Sequence, residues 1–215
     1  MEKKEMAIWM ICLVISLAVC AEAHETKEKL PYPGFQPDSK QADAFISSIG
    51  ECSMKVLPTI VRTVTNKDIS YNTASRQTII KHLIKNDIAD PNACSMNLDL
   101  SKAWGIGQWG LFKSGMKIMS KQIKRSNMES DYYMAVELLM VPGRKNDIGM
   151  FGIHIYILDK AGKNAFSFLL NSHHKMFVDA KLYAKDTSKK AKEKLIADST
   201  QVALQALDKQ IQLAK

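Results

Sequence analysis

Apolar positions recur along this chain with two different periods, and the switches between them mark out its elements. Ala42, Phe45, Ile46 and Ile49 keep helical spacing up to Gly50, with Ser39 placed to cap the start. Residues 54–64 are rich in β-branched side chains and predict a strand, in which Pro58 has no ladder donor and so marks an edge or a bulge. A second helix is predicted from Asn72 or Thr73, where Ile79, Ile80, Leu83 and Ile84 form one stripe ending near Asn86. Ile88 and Ala89 predict a short strand ahead of a loop over residues 90–94.

Ser101 opens a third helix carrying Trp104, Leu111, Phe112, Met116, Ile118, Met119 and Ile123. Its glycines, Gly105, Gly107, Gly110 and Gly115, each weaken it by up to about 1 kcal/mol relative to alanine, so an irregular first half is expected. Three strands follow over residues 133–141, 150–158 and 165–171, separated by Pro142-Gly143 and by the turn residues 159–163. In the last pair Ile153, Ile155 and Ile157 alternate with His154 and Tyr156, and Phe166, Phe168 and Leu170 alternate with Ser167 and Asn171, the pattern of a β-hairpin. Ser188 then begins a long basic helix with Ile196, Ala203, Leu207, Ile211 and Ala214 on one face. The fold class this predicts is α+β: a single domain over residues 39–215, with a mixed sheet of about four to five strands including the C-terminal hairpin, packed by about three to four helices.

The amino terminus reads differently. Lys3 and Lys4 precede an apolar run over residues 6–19, and Ala21-Glu22-Ala23 closes it, which is the order of a secretory signal over residues 1–23. The run falls short of the roughly 20 apolar residues a membrane span needs. The expected address is therefore the periplasm or the exterior, after cleavage near Ala23. Leu17-Ala18-Val19-Cys20 offers an alternative, since it resembles a lipobox apart from Val19, where a small residue is wanted; cleavage there gives a lipoprotein anchored at Cys20. Residues 24–38, with Pro31, Pro33, Gly34 and Pro37 among charges, read as a flexible leader.

Export changes the reading of charge and cysteine. Cleavage at Ala23 removes Lys3, Lys4, Glu2, Glu5 and Glu22 from 30 cationic and 22 acidic side chains, leaving 28 against 19 and a net charge of +9. Such a balance suits anionic headgroups or acidic polymers, and export argues against nucleic acid. Lys181, Lys185, Lys189, Lys190, Lys192 and Lys194 are the candidate contacts for an anionic membrane surface, although a solvated helix face is the plainer account of them. Cys12 and Cys20 leave with the signal, and the remaining Cys52 and Cys94 predict one disulfide in an oxidising compartment. On the chain-entropy account it contributes roughly 4 kcal/mol.

Motifs with chemistry are few. Gly105, Gly107 and Gly110 match G-x-G-x-x-G, but a dinucleotide site needs a strand before them, and Trp109 would crowd the backbone approach. A closely packed segment is the better reading, and no cofactor is expected. Ser114 to Lys117 match S-x-x-K without its companion motifs. His154, His173 and His174 suffice in number for zinc, but neighbouring strand residues point to opposite faces, so no metal is expected. Asn171, Ser172, His173 and His174 end a predicted strand with four hydrogen-bonding side chains and, with His154, form the candidate binding site. No catalytic residues are assigned; the alternative to binding is a small hydrolase using Ser172 with His173 or His174.

The element order resembles the α+β domain of the TolB amino-terminal region and of CsgG-like envelope proteins. Val56-Leu57-Pro58 resembles their first-strand pattern, residues 71–85 their first crossover helix, and residues 155–168 their hairpin around a D-x-x-G turn, here Asp159 to Gly162. The resemblance spans residues 50–212 and implies a non-catalytic accessory or protein-interaction domain of the cell envelope, with an envelope protein as partner.

Overall fold

A computed structural model describes residues 39–65, 68–126, 128–143 and 146–215. The expected signal, lipobox and leader lie outside the described residues. Among the described residues the fold is α+β, with five helices and a mixed sheet of eight strands.

The sheet is organised around β5 (Tyr132–Pro142), whose first nine residues are buried on both faces. The hairpin partner β6 (Ile148–Asp159) runs antiparallel along one edge of β5 for its full length, with a register shift at Leu139/Met140. Along the other edge lie β1 (Ser53–Val56) and β2 (Thr59–Thr63), both parallel to β5. These two are the predicted strand over 54–64, interrupted at Leu57-Pro58. Pro58 cannot donate to a ladder, and there the outer neighbour changes, from β4 (Asp90–Ala93) beside β1 to β3 (Ile69–Asn72) beside β2. The proline thus marks a break inside the sheet rather than its edge. Two short strands, β7 (Phe168–Leu170) and β8 (Tyr183–Ala184), pair with the outer edge of β6.

Two expectations are corrected at the sheet margin. Residues 90–93 form an edge strand where a loop was expected, because a terminal strand tolerates Pro91 when its missing donor is not needed. The hairpin strand expected over 165–171 is confined to Phe168–Leu170, with one isolated bridge from Leu158 to Asn164. Its turn is as expected: the Gly162 N–H donates to the Asp159 carbonyl at 2.8 Å, and Gly162 takes φ +69°, which favours glycine.

Alternation divides the core between two faces. On one face Ile153, Ile155 and Ile157 meet α1 (Ser39–Ser47), α2 (Thr73–Lys85) and the long α5 (Lys189–Ala214) through Phe45, Ile79, Leu83, Leu195, Leu204 and Leu207. Asn72 caps α2 by accepting from the Ser75 N–H at 2.8 Å, and Ser188 caps α5 through Ala191 at 3.2 Å. The short α4 (Lys175–Asp179) adds Phe177 on the same face. On the other face, among the described residues, the helix α3 (Gly107–Arg125) lays Phe112, Met119 and Ile123 over Tyr133, Tyr156 and Leu158.

The expected disulfide between Cys52 and Cys94 is corrected: both cysteines are free and buried. The β1–β4 register explains it. Ser53 faces Asp90 and Val56 faces Ala93, so Cys94 falls one step beyond, against Leu57, five residues along from Cys52. At about 3.3 Å per residue that separates them by roughly 16 Å, against the ~4.4–6.8 Å between Cα atoms that a disulfide allows. They also belong to opposite faces, Cys52 with α1 and α2 and Cys94 with α3.

Candidate functional site

His154 and Tyr156, the polar members of the β6 alternation, are both fully buried, because α3 covers that face. Beneath it they join a charged network. Glu137 on β5 lies directly opposite His154 on β6. Its carboxylate accepts from Tyr156 Oη at 2.9 Å, lies 2.8 Å from His154 Nδ1, and pairs with Arg62 Nη2 at 2.9 Å. Arg62 comes from β2, and its Nη1 donates to the carbonyls of Leu100 at 3.0 Å and Ala103 at 3.4 Å. All four side chains are buried. His154 Nε2 has no hydrogen-bond partner, and the Phe112 ring lies edge-on to the imidazole and stacks on Tyr156.

Burial pushes the Glu137 carboxyl up, but the His154 bond, the charges of His154 and Arg62 and the Tyr156 bond together outweigh it and hold it below the usual glutamate value. Burial, and then the Glu137 charge, drive the Tyr156 hydroxyl well above its ordinary value. A charge pair this deep needs every lone pair answered. Here Arg62 Nε and His154 Nε2 have no hydrogen-bond partner, and the Nη1 contacts of Arg62 tie the sheet to the Leu100–Ala103 turn, the segment just ahead of α3.

The glycine motif now has a physical reason. A Cβ at Gly105 would lie 2.2 Å from the backbone of Gly110, and one at Gly110 would lie 2.7 Å from Gly105, so two backbones touch where no side chain fits. Gly107 takes φ +66°, the left-handed region. Gly115 sits on the buried network, where a Cβ would come 2.4 Å from Tyr156 Oη. The Trp104 N–H donates to Ser114 Oγ, so the serine of the S-x-x-K pattern holds this loop, while Lys117 faces solvent. With its backbone folded back in this way, the loop leaves Trp104 73 % exposed and Ile106 89 % exposed.

The predicted site residues are not brought into one cluster with His154, whose hydrogen bonds go to Glu137 and Tyr156. Asn171 is buried; its side chain accepts from the His173 N–H at 2.9 Å and lies 3.3 Å from His174 Nδ1. Together they form the turn that enters α4. Ser172 and His173 are not buried, and the His174 ring meets Asn171. Burial first, and then neighbouring His173, lower the His174 pKa, with a backbone bond from Asn171 opposing. Among the described residues no group of three or more His, Cys, Asp or Glu is placed to hold a metal. A shallow cavity of about 490 Å³ opens where β1 and β5 begin, lined by Ser53, Asp131 and Lys160. The Asp131 carboxylate is already engaged, since it accepts from Ser53 N and Oγ at 2.9 and 2.8 Å, while Glu129 also lines the cavity.

Sequence reasoning missed Arg62 and Glu137. The available signal was one acidic residue inside an eleven-residue strand of otherwise uncharged side chains, since a carboxylate buried there requires a cation on a neighbouring strand.

No protein-family model and no curated protein matches the chain. Among solved structures, the C-terminal domain of LpoB from Salmonella enterica is similar at 13 % identity, covering 63 % of this chain and 96 % of that one, with a TM-score of 0.29. At that TM-score the likeness carries no function across.

Proposed function

We propose that this chain is an exported, non-catalytic accessory domain of the cell envelope, folded as one unit over residues 39–215 behind its signal and leader, that works by contact with a partner. The observation that carries this reading is a contrast. The charged network of Arg62, Glu137, His154 and Tyr156 is sealed under α3, whereas Trp104 and Ile106, held by a tight glycine turn, stand in solvent. Buried charge with no access suits positioning, and large exposed apolar side chains mark contact surfaces. The address rests on the signal pattern of residues 1–23, and the TolB-like and CsgG-like pattern of residues 50–212 points the same way.

A photo-crosslinking residue placed at position 104 tests this in intact cells. Discrete adducts are expected at 104 and not at Leu213, which is 52 % exposed on α5. A hydrolytic activity that disappears in His174→Ala, with the fold intact, would replace this reading with the hydrolase one.

A further inference from the structure

Between Ser101 and Met128 the chain carries Lys102, Lys113, Lys117, Lys121, Lys124 and Arg125 and no acidic residue. On α3 the burial pattern sorts them sharply: beyond Gly107, every exposed residue of the helix is cationic. Lys113, Lys117, Lys121 and Lys124 recur at three- and four-residue spacing, so they form one row along a helix about 27 Å long. Lys113 stands over the Trp109 ring at 5.2 Å. Lys117, Lys121, Lys124 and Arg125 have no carboxylate partner among the described residues. The basic helix α5 differs in interleaving its cations with acids: Lys189 lies against Glu193 and Lys194 pairs with Asp198, while Lys190 and Lys192 have no carboxylate partner among the described residues. The lysines from Lys117 onward are thus not neutralised within the described chain, and the loop just ahead of the helix carries the exposed Trp104 and Ile106.

We infer that the outward face of α3 docks on the anionic surface of a lipid bilayer, with Trp104 and Ile106 entering the headgroup layer. This rests on the contact reading above and names the partner. Four of the five cations on the helix are lysines, point charges that suit a diffuse anionic surface better than a fixed carboxylate. Among the described residues α3 is the helix that covers this face of the sheet, so the row lies on the outer side of a cylinder and meets a plane without needing a matching groove. Lysines near an anionic leaflet each add attraction, and indole rings favour the interface between headgroup and chain. Apolar insertion and a polybasic row are the two signals that reversible membrane attachment combines. Among the described residues no helix is long and apolar enough to cross a membrane.

The test uses the purified full-length protein, as it accumulates in cells, with vesicles of phosphatidylcholine alone or mixed with phosphatidylglycerol. Expected are co-sedimentation with the mixed vesicles only, a blue shift of tryptophan emission lost in Trp104→Phe, and weakening as salt is raised. Lys117→Gln with Lys121→Gln should weaken binding about 30-fold, while Lys190→Gln with Lys192→Gln on α5 should change it little. All four sites are exposed, so circular dichroism should show unchanged folding. Equal binding to neutral vesicles, or indifference to the α3 substitutions, overturns the inference. No vesicle binding together with protein adducts at position 104 assigns the face to a protein and leaves the contact reading standing; neither signal removes both.

Discussion

Glu137→Gln is the sharpest perturbation of the buried network. The amide keeps the volume and shape of the carboxylate, but its nitrogen only donates. Turned toward Arg62 it opposes the Nη2 donor; turned the other way it opposes the Tyr156 hydroxyl and His154 Nδ1. Either way one of the two acceptor oxygens is lost, and the Arg62 guanidinium, 3 % exposed, keeps two backbone carbonyls and loses its counter-charge. Removing one partner of a buried pair costs about 3–5 kcal/mol, a large part of the ~5–15 kcal/mol that holds a typical domain folded. With an m-value of about 2 kcal/mol/M, the urea midpoint should fall by roughly 2 M. Adding Arg62→Met removes the stranded charge and lets the amide oxygen face Tyr156 and His154, so the double variant should recover at least about 1 kcal/mol over Glu137→Gln. A single variant within about 0.5 kcal/mol of the parent, or a double variant less stable than the single, refutes the reasoning.

The same carboxylate gives a pH dependence: its folded pKa lies below its ordinary value of 4.5, so the unfolded chain binds the proton first. Its contribution is complete above that value and is lost as pH falls through the folded pKa, and Glu137→Gln should flatten the urea midpoint against pH in that acidic range. Gly115→Ala should cost about 1–2 kcal/mol of urea stability, because displacing Tyr156 outweighs the better helix propensity of alanine; a stabilised variant would show that α3 does not press on the network. Both thiols should react slowly in the native protein and freely in urea, with burial raising the Cys52 pKa first among causes; a melting temperature that falls on reduction would restore the disulfide. Mass measurement of the mature amino terminus should give a chain starting at His24, and a lipidated Cys20 would move the protein to a membrane anchor.

What the sequence made legible followed periodicity, and what it hid followed tertiary contact. The helical stripe of Ile79 and Leu83, the Asn72 and Ser188 caps and the Asp159–Gly162 turn are local, so their signals survive in one dimension. The extra strands carry almost none: Asp90–Ala93 looks like turn composition, Ile69–Asn72 is short and half polar, and Tyr183–Ala184 has two residues. Each is a strand because a neighbour supplies the ladder. The alternation in β6 separated its two faces but could not show that the one carrying His154 and Tyr156 is buried, since the helix that covers it lies elsewhere in the sequence.

That buried face links the interior to the surface. Arg62 spends two donors on the Leu100 and Ala103 carbonyls, Gly105 and Gly110 close the next turn by backbone contact, and Ser114 holds the Trp104 N–H. The loop carrying the exposed side chains is thus fastened from below by the network and from behind by α3. An apolar side chain in water gains nothing by being held still there, so fixing one in place stabilises the contact it makes rather than the fold that holds it. Loosening the network should therefore reach the surface. In Glu137→Gln, amide exchange should accelerate over residues 100–106 before it does in α5, whose core lies across the sheet. Uniform acceleration would mean that the network serves stability alone and that Trp104 is not held by it.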